Sequence, residues 1–430
     1  MVESIVIGAA TCLDMILAVL YVPKIKIGRM SPSSYWIVTM IGAILLLLMG
    51  AVDVRDVGAA LLADTAINPI KILVLFISMT LLSIFLDELG FFRYLASATL
   101  KRAGSSQVRL FLILYVTVSV LTVFTSNDII ILSFTPFICY FAKHAHVSPM
   151  PYLAAEFVAA NTWSMALIIG NPTNIYLVTA AGGSFVSYLA TMILPTLVSG
   201  TVAFVCLYLV FRSKLSEPIK ATPEDVKIED KLALTVGIVH LAVCTVLLAV
   251  GSYIGLEMWL VSLAAAVSLL LFTVTLSLIR KEEPTHAEAC LKRAPWELIP
   301  FILSMFVVVE ALHTNGVTDY IFRFLDTAAP VWSYGITSFL SANLINNIPM
   351  SVLYSSILSG GVSPAAVYAT VVGSNLGACL TPIGALAGIM WSSILKEHGL
   401  KFGYADFLKI GITVAVPALI AALGTLAVIL

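Results

Sequence analysis

Eight stretches of this chain, near residues 3–22, 36–54, 71–89, 185–211, 233–254, 256–279, 296–313 and 404–430, stay apolar for a span's length. A helix needs about 20 such residues to cross the hydrocarbon core of a bilayer. Hydrophobic residues make up 60% of the 430-residue sequence and charged residues only 11%. A soluble domain carries about a quarter charged, so water could not solvate this surface. The chain is expected to be an all-α polytopic membrane protein. Its first stretch follows Glu3, with no basic region before it and no small-residue cleavage site after it. It reads as a span that stays rather than a leader that is removed.

Two further regions, 107–181 and 331–396, are long and apolar but interrupted by Asn, Asp, Gly and Pro. Each reads as a re-entrant hairpin (107–142; 331–359) followed by a crossing with an unwound middle (151–181; 364–396). That gives about ten transmembrane helices plus two hairpins. Basic residues gather in cytoplasmic loops. With the N-terminus outside, the inside segments hold Lys24, Lys26, Arg29, Arg93, Lys101, Arg102, Arg109, Lys143, the basic residues of 212–231, Arg280, Lys281, Lys292, Arg293, Lys396, Lys401 and Lys409. Only Arg55, Lys71 and Arg323 of the 23 remain outside. Both termini are therefore expected on the extracytoplasmic side.

Short patches repeat in order. Ser78-Met79 precedes Gly90 as Ser304-Met305 precedes Gly316, and Asn127-Asp128-Ile129 answers Asn346-Asn347-Ile348. Asn161 precedes Gly170 as Asn375 precedes Gly384. The pattern divides the chain into a first repeat, 1–212, a mixed-charge cytoplasmic linker, 213–231, and a second repeat, 232–430. Each half has an odd number of crossings, so the copies are expected to be inverted. Inverted repeats with broken helices at matching places belong to secondary transporters, with the site near the midplane. Irregular backbone is tolerated at that depth only where it is buried in protein or lines a cavity.

The candidate site residues lie at these irregularities. The first hairpin tip reads Thr125-Ser126-Asn127-Asp128 and the second Asn346-Asn347-Ile348-Pro349. The first broken crossing carries Asn161, Ser164 and Asn174, and the second Asn375 and Thr381. Amides, hydroxyls and freed carbonyls suit a hard cation or a small oxygen-rich solute. Equally, small and polar residues at such places serve helix packing. Asp128 is the only carboxylate at either tip. Charge is costly at bilayer depth, which marks Asp128 as a proton, Na⁺ or substrate ligand, with capping of the following arm as the structural alternative. Glu156, five residues before Asn161, is a second coupling candidate. Asp14, His240 and Glu310 have no echo in the other half and read as structural, as do Cys139 and Cys379.

Other classes fall away. The 23 basic and 24 acidic residues nearly cancel, which argues against nucleic-acid binding. The six cysteines show no paired spacing, so neither a disulfide framework nor a metal site is expected. No P-loop, HExxH or nucleophile triad motif appears, so no enzyme and no cofactor is expected. Energy must come from a coupling ion, H⁺ or Na⁺, or from a cytoplasmic ATPase partner.

At LDELGFF (86–92), Asn127-Asp128 with Thr135-Pro136, RAPWELIPFILSMFVVVEAL (293–312), NGVTDYI (315–321), NNIP (346–349) and TPIG with MW (381–384, 390–391), the sequence resembles the ArsB/NhaD branch of the ion-transporter superfamily. The likeness runs over almost the whole chain. It implies an inverted-repeat fold with scaffold and transport parts, an elevator-like motion, a homodimer and a place in the plasma (cell inner) membrane. It also implies arsenite and antimonite efflux in exchange for protons. Asn161 and Asn375 stand where that branch carries acidic residues, as in its citrate- and Na⁺/H⁺-exchanger-like cousins. An Na⁺- or H⁺-coupled carboxylate carrier and an Na⁺/H⁺ antiporter are therefore the alternatives.

Overall fold

The computed structural model describes residues 2–22, 24–26, 31–64, 68–216, 218–219, 226–325 and 329–430. Arg29, Lys220 and the linker residues 217 and 220–225 lie outside the described residues. Among the described residues the regular structure is helical, with two isolated bridges, Lys24 to Ser33 and Ser106 to Pro218.

The first half runs α1 (Val2–Tyr21), α2 (Ser34–Leu48), α3 (Val54–Leu62), α4 (Pro69–Glu88), α5 (Phe91–Ala103), α6 (Gln107–Phe124), α7 (Asn127–Ala145), α8 (Met150–Trp163), a 3₁₀ turn (Ile168–Gly170), α9 (Pro172–Ala180) and α10 (Phe185–Phe211). The second runs α11 (Lys231–Ile254), α12 (Met258–Arg280), α13 (Thr285–Arg293), α14 (Leu298–Thr314), α15 (Val317–Leu325), α16 (Pro330–Ile345), α17 (Asn347–Leu358), α18 (Pro364–Gly377), α19 (Leu386–Glu397), α20 (Tyr404–Ile410), a π turn (Gly411–Ala415) and α21 (Val416–Ile429).

Among the described residues, eight helical stretches are long and apolar enough to cross a membrane: α1, α4, α6, α10, α11, α12, α13–α14 and α20–α21. The apolar run 36–54 differs from expectation. It forms the 15-residue α2 and then a turn leading to α3, because Asp53 accepts from Arg55 N at 2.7 Å and starts a new helix. The arm α6 has span length on its own, so its hairpin character comes from the tip. Thr125, Ser126 and Asn127 are all buried there, and Asn127 reaches Asn161 in the middle of the next segment.

Local chemistry sets each break. Ser126 accepts from Asp128 N at 3.3 Å and starts α7, while Asn346 accepts from Ile348 N at 3.2 Å and starts α17. Asn171 accepts from Thr173 N at 3.1 Å, and Pro172 at the first position of α9 has no N–H to leave unpaired.

The packing recurs between the halves. α8 is flanked by α6, α7 and α10, and α18 by α16, α17 and α21. The halves then exchange arms, because α7 packs on α19 and α17 packs on α9. Around this buried centre stand α1, α2 and α14 as one group and α4, α11 and α12 as another. Helix α4 is buried along most of its length, whereas α11 and α12 expose long apolar faces such as Val239, Val243, Val246, Leu260 and Leu271. Those faces suit a surround of lipid.

Candidate functional site

The two breaks meet. Asn375 of α18 donates from Nδ2 to Asn174 Oδ1 at 2.7 Å and to Val371 O at 2.9 Å. Its Oδ1 accepts from Ser164 Oγ at 2.8 Å and from Asn171 Nδ2 at 3.1 Å. Asn174 in turn donates to the carbonyls of Ser164 (2.8 Å) and Leu167 (3.1 Å); the unwound backbone leaves the first free, and the second also accepts from Gly170 N at 3.1 Å. All four side chains are buried, and none is charged.

Each hairpin tip is tied to the break of its own half. Asn127 Nδ2 donates to Asn161 Oδ1 at 3.2 Å, and Asn161 Nδ2 donates to Phe157 O at 2.9 Å. In the second half Asn347 N donates to Gly384 O at 3.0 Å and Asn346 Nδ2 to Ile383 O at 3.0 Å. Asn346 has φ 70° and ψ 151°, an unusual conformation for a residue with a Cβ. The other non-glycine residues at positive φ, His146 and Lys281, cap helix ends, while Asn346 is buried and its backbone is fixed by these bonds. Strain of this kind collects at ligand clamps.

The remaining candidates fall into distinct places. Thr125 Oγ1 donates back to Leu121 O at 2.8 Å and closes α6. Thr381 Oγ1 donates to Asn343 Oδ1 at 2.6 Å, and Asn343 Nδ2 holds Phe339 O and Gly377 O at 2.9 and 3.0 Å. Asn343 and Asn171 are site-forming residues that the sequence reading did not single out. Asn171 lies between Asn161 and Asn174 in the first broken crossing, whereas Asn343 lies in the first arm of the second hairpin, three residues before the NNIP motif.

The side chains of Asp128 and Asn347 have no hydrogen-bond or ion-pair partner among the described residues. The capping of α7 falls to Ser126, so Asp128 is free of that role. The cap positions also revise the correspondence between the tips. Ser126 matches Asn346, so Asn127 matches Asn347 and Asp128 matches Ile348.

Glu156 lies apart from this network. It is the one buried residue of charged type among the described residues. Thr135 Oγ1 of α7 donates to it at 2.8 Å, and Trp391 Nε1 of α19 at 3.4 Å. Trp391 is held by Phe157, Phe402 and Phe407, with ring centroids 5.0 to 5.4 Å away. Glu156 thus joins the first hairpin, the first broken segment and the second broken segment.

The centre therefore combines amide and hydroxyl donors with freed carbonyls. Buried oxygens are left over as well: Asn127 Oδ1, Thr162 Oγ1 and Ser374 Oγ have no partner among the described residues. Buried polar atoms are nearly always paired, so these acceptors are ready for a bound hydroxyl or cation.

Comparison with known proteins shows the family. Residues 27–360 match the family model described as citrate transporter, CitMHS. The chain is 29% identical to the arsenical pump membrane protein of Escherichia coli (strain K12), over 82% of this chain and 85% of that protein. It is 28% identical to a second Escherichia coli protein of the same name, over 98% and 97%. The putative arsenical pump membrane protein of Bacillus subtilis (strain 168) is 24% identical over 86% and 88%. In three dimensions the chain resembles the Alcanivorax borkumensis YdaH transporter, whose crystal structure has an unusual topology, at a TM-score of 0.57. That match has 15% identity, covers 99% of this chain and 98% of the other, and bears on fold alone. The chain is a multi-pass secondary transporter, not an enzyme, and belongs to the citrate transporter (CitMHS) family.

Proposed function

We propose that the protein exports arsenite and antimonite across the plasma (cell inner) membrane in exchange for protons, by an elevator-like alternation of access. The observation that carries this reading is the cluster of Asn127, Asn161, Ser164, Asn375 and Asn174, in which Ser164 Oγ has one proton for either Asn161 O or Asn375 Oδ1 and which has no cationic member. As(OH)₃ is neutral at physiological pH and presents only hydroxyl groups, which amides and carbonyls match in both senses. The names of the bacterial relatives support the same solute. Asp128, a carboxyl at the first tip with no hydrogen-bond or ion-pair partner among the described residues, is the proposed coupling group, with H⁺ or Na⁺ as its ion, and Glu156 is the second. Both termini are placed outside by the charge rule, and a homodimer is the proposed assembly.

In the elevator reading the two tips and the two breaks move as one body, and α4 and α14 belong to the fixed scaffold. The two-fold packing of α7 on α19 and α17 on α9 supports treating them as a unit.

Purified protein in liposomes with an imposed pH gradient should accumulate radiolabelled or mass-detected arsenite, and collapse of the gradient should abolish accumulation. No arsenite movement under any gradient would sink the reading. A second reading, an Na⁺-coupled carboxylate carrier, is favoured by the unpartnered oxygens of Asn127, Thr162 and Ser374, since a bound cation there would offset an anion's charge. Na⁺-dependent citrate uptake in the same vesicles would identify it. A cytoplasmic ATPase as energy source would leave both gradients without effect.

A further inference from the structure

Two of the sequence motifs not used by the site meet at the end of α4. Asp87 and Glu88, from the LDELGFF run, are both held by Arg293, from the RAPWELIP run. Arg293 reaches Asp87 Oδ2 at 2.6 Å and also pairs with Glu88 Oε1. The other oxygen of Asp87 accepts from Ser133 Oγ of α7 at 2.6 Å. Ser133 Oγ is also 2.8 Å from Ile129 O, yet it has one proton, and the charged carboxylate is the stronger acceptor. The clasp therefore runs from α13 through the end of α4 to the arm of the first hairpin. Ser133 lies on the same arm as Asp128, little more than one helical turn away.

The clasp sits at a joint. Beyond Glu88 the chain turns at Gly90, with φ 75°, into the surface helix α5. The second half has the same joint, where α14 turns at Gly316, with φ 74°, into α15. Three and two residues before Gly316 stand His313 and Thr314, where the first half has Asp87 and Glu88. His313 Nδ1 is 2.9 Å from Thr318 Oγ1, a contact within its own joint. The residue of α17 that matches Ser133, counted from the two helix caps, is Leu353, which has no side-chain hydrogen-bonding group. One half can form the clasp and the other cannot.

We infer that Asp87, Glu88 and Arg293 are positioning residues that hold the first hairpin, through Ser133, in one access state and have no counterpart for the other. This rests on the alternating-access part of the proposed function. In an inverted-repeat carrier the two access states arise when the repeats exchange conformations, so an interaction available to one repeat alone biases the equilibrium between them.

The test uses the full chain, purified, with hydrogen–deuterium exchange read across 127–135 and across 347–355. Arg293→Gln and Ser133→Ala should each speed exchange in 127–135 by about tenfold, the loss of one charge-assisted hydrogen bond. Exchange in 347–355 should not change, and Ser133→Thr should restore the wild-type rate. No acceleration in 127–135, or equal acceleration in both hairpins, would overturn the inference. Ser133→Ala leaves every ion pair in place, so it decides the matter even if Arg293→Gln does not fold. In vesicles, Ser133→Ala should also move the apparent KM for arsenite in opposite directions at the two faces, whereas a general lesion lowers Vmax alike from both. If the wild type moves no arsenite, the substrate reading fails and the exchange measurement still decides the clasp.

Discussion

Asn375 and Asn174, 201 positions apart in sequence, share a hydrogen bond of 2.7 Å. Each comes from a different broken segment. Asn375 gives both amide hydrogens, one to Asn174 and one to Val371 O, and its oxygen takes two more bonds from Ser164 and Asn171. A side-chain amide has two donors and one acceptor oxygen with two lone pairs, so Asn375 is saturated. In a buried, low-dielectric centre such a network is stiff when complete and costly when one member is missing. The two breaks are therefore held together through Asn375.

Asn375→Ala removes that saturation. Ser164 Oγ loses this acceptor, while Asn171 Nδ2 and Asn174 Oδ1 are left without a partner. Each unsatisfied buried group costs about 1–3 kcal/mol, with less than full additivity because the groups share one site. The variant should melt well below the wild type in detergent and should transport nothing. A wild-type melting curve for Asn375→Ala would show that the breaks are not held by this residue.

Gly170 closes the first break. A Cβ there would lie 3.0 Å from the carbonyl carbon of Ser164 and 3.1 Å from its Cα. Those are backbone atoms and cannot step aside without moving Asn174's acceptors. Gly170→Ala should cost about 1–3 kcal/mol in overpacking and should abolish transport before it abolishes membrane insertion. Gly424, in α21, has no atom within 4 Å of such a Cβ. Gly424→Ala should leave melting and transport unchanged or slightly improved. Equal behaviour of the two variants would remove the steric argument.

The sequence carried the apolar spans, the hairpin tips and the two breaks, because length, proline and cap chemistry are local signals. Where the reading slipped, the deciding partner was far away in the chain. Asn343 is absent from the candidates drawn from the sequence, because its role depends on Thr381 and Gly377 O reaching it from the second break. Glu156 was noticed as a carboxyl in a span, but its partners Thr135 and Trp391 come from two other helices. The tips were aligned by their paired asparagines. The helix caps place them one residue apart from that alignment, with Asp128 opposite Ile348, since Ser126 and not Asp128 starts α7.

Outside the membrane, Arg280 beside Asp230 holds the Asp230 carboxyl below the ordinary range by a hydrogen bond, and the N–H of Ala233 adds to the effect. A carboxyl lowered in the folded state stabilises above its ordinary pKa of about 4, and that contribution disappears as pH falls through and below this value. Thermal melting should therefore drop as the pH is taken from about 5 to about 3. Asp230→Asn keeps the cap on α11 but has no charge to lose, so its melting should fall less over the same interval. Identical acid profiles for the two proteins would mean the pair contributes nothing.

Asp128 separates mechanism from architecture. Its carboxyl has no hydrogen-bond or ion-pair partner among the described residues, the cap of its helix is Ser126, and its counterpart in the second half is the apolar Ile348. Asp128→Asn changes charge with almost no change in volume, so the melting temperature should hold. A charge at this depth is expensive unless an ion or proton accompanies it, which is the property a coupling group needs. The variant should still exchange substrate down its own gradient but should fail to concentrate it when a pH or Na⁺ gradient is imposed. Asn347→Ala, at the other tip, should instead raise KM and leave the response to the gradient intact. Uptake into vesicles with and without each gradient separates the two. Concentration of substrate by Asp128→Asn at the wild-type rate would remove Asp128 from the coupling mechanism.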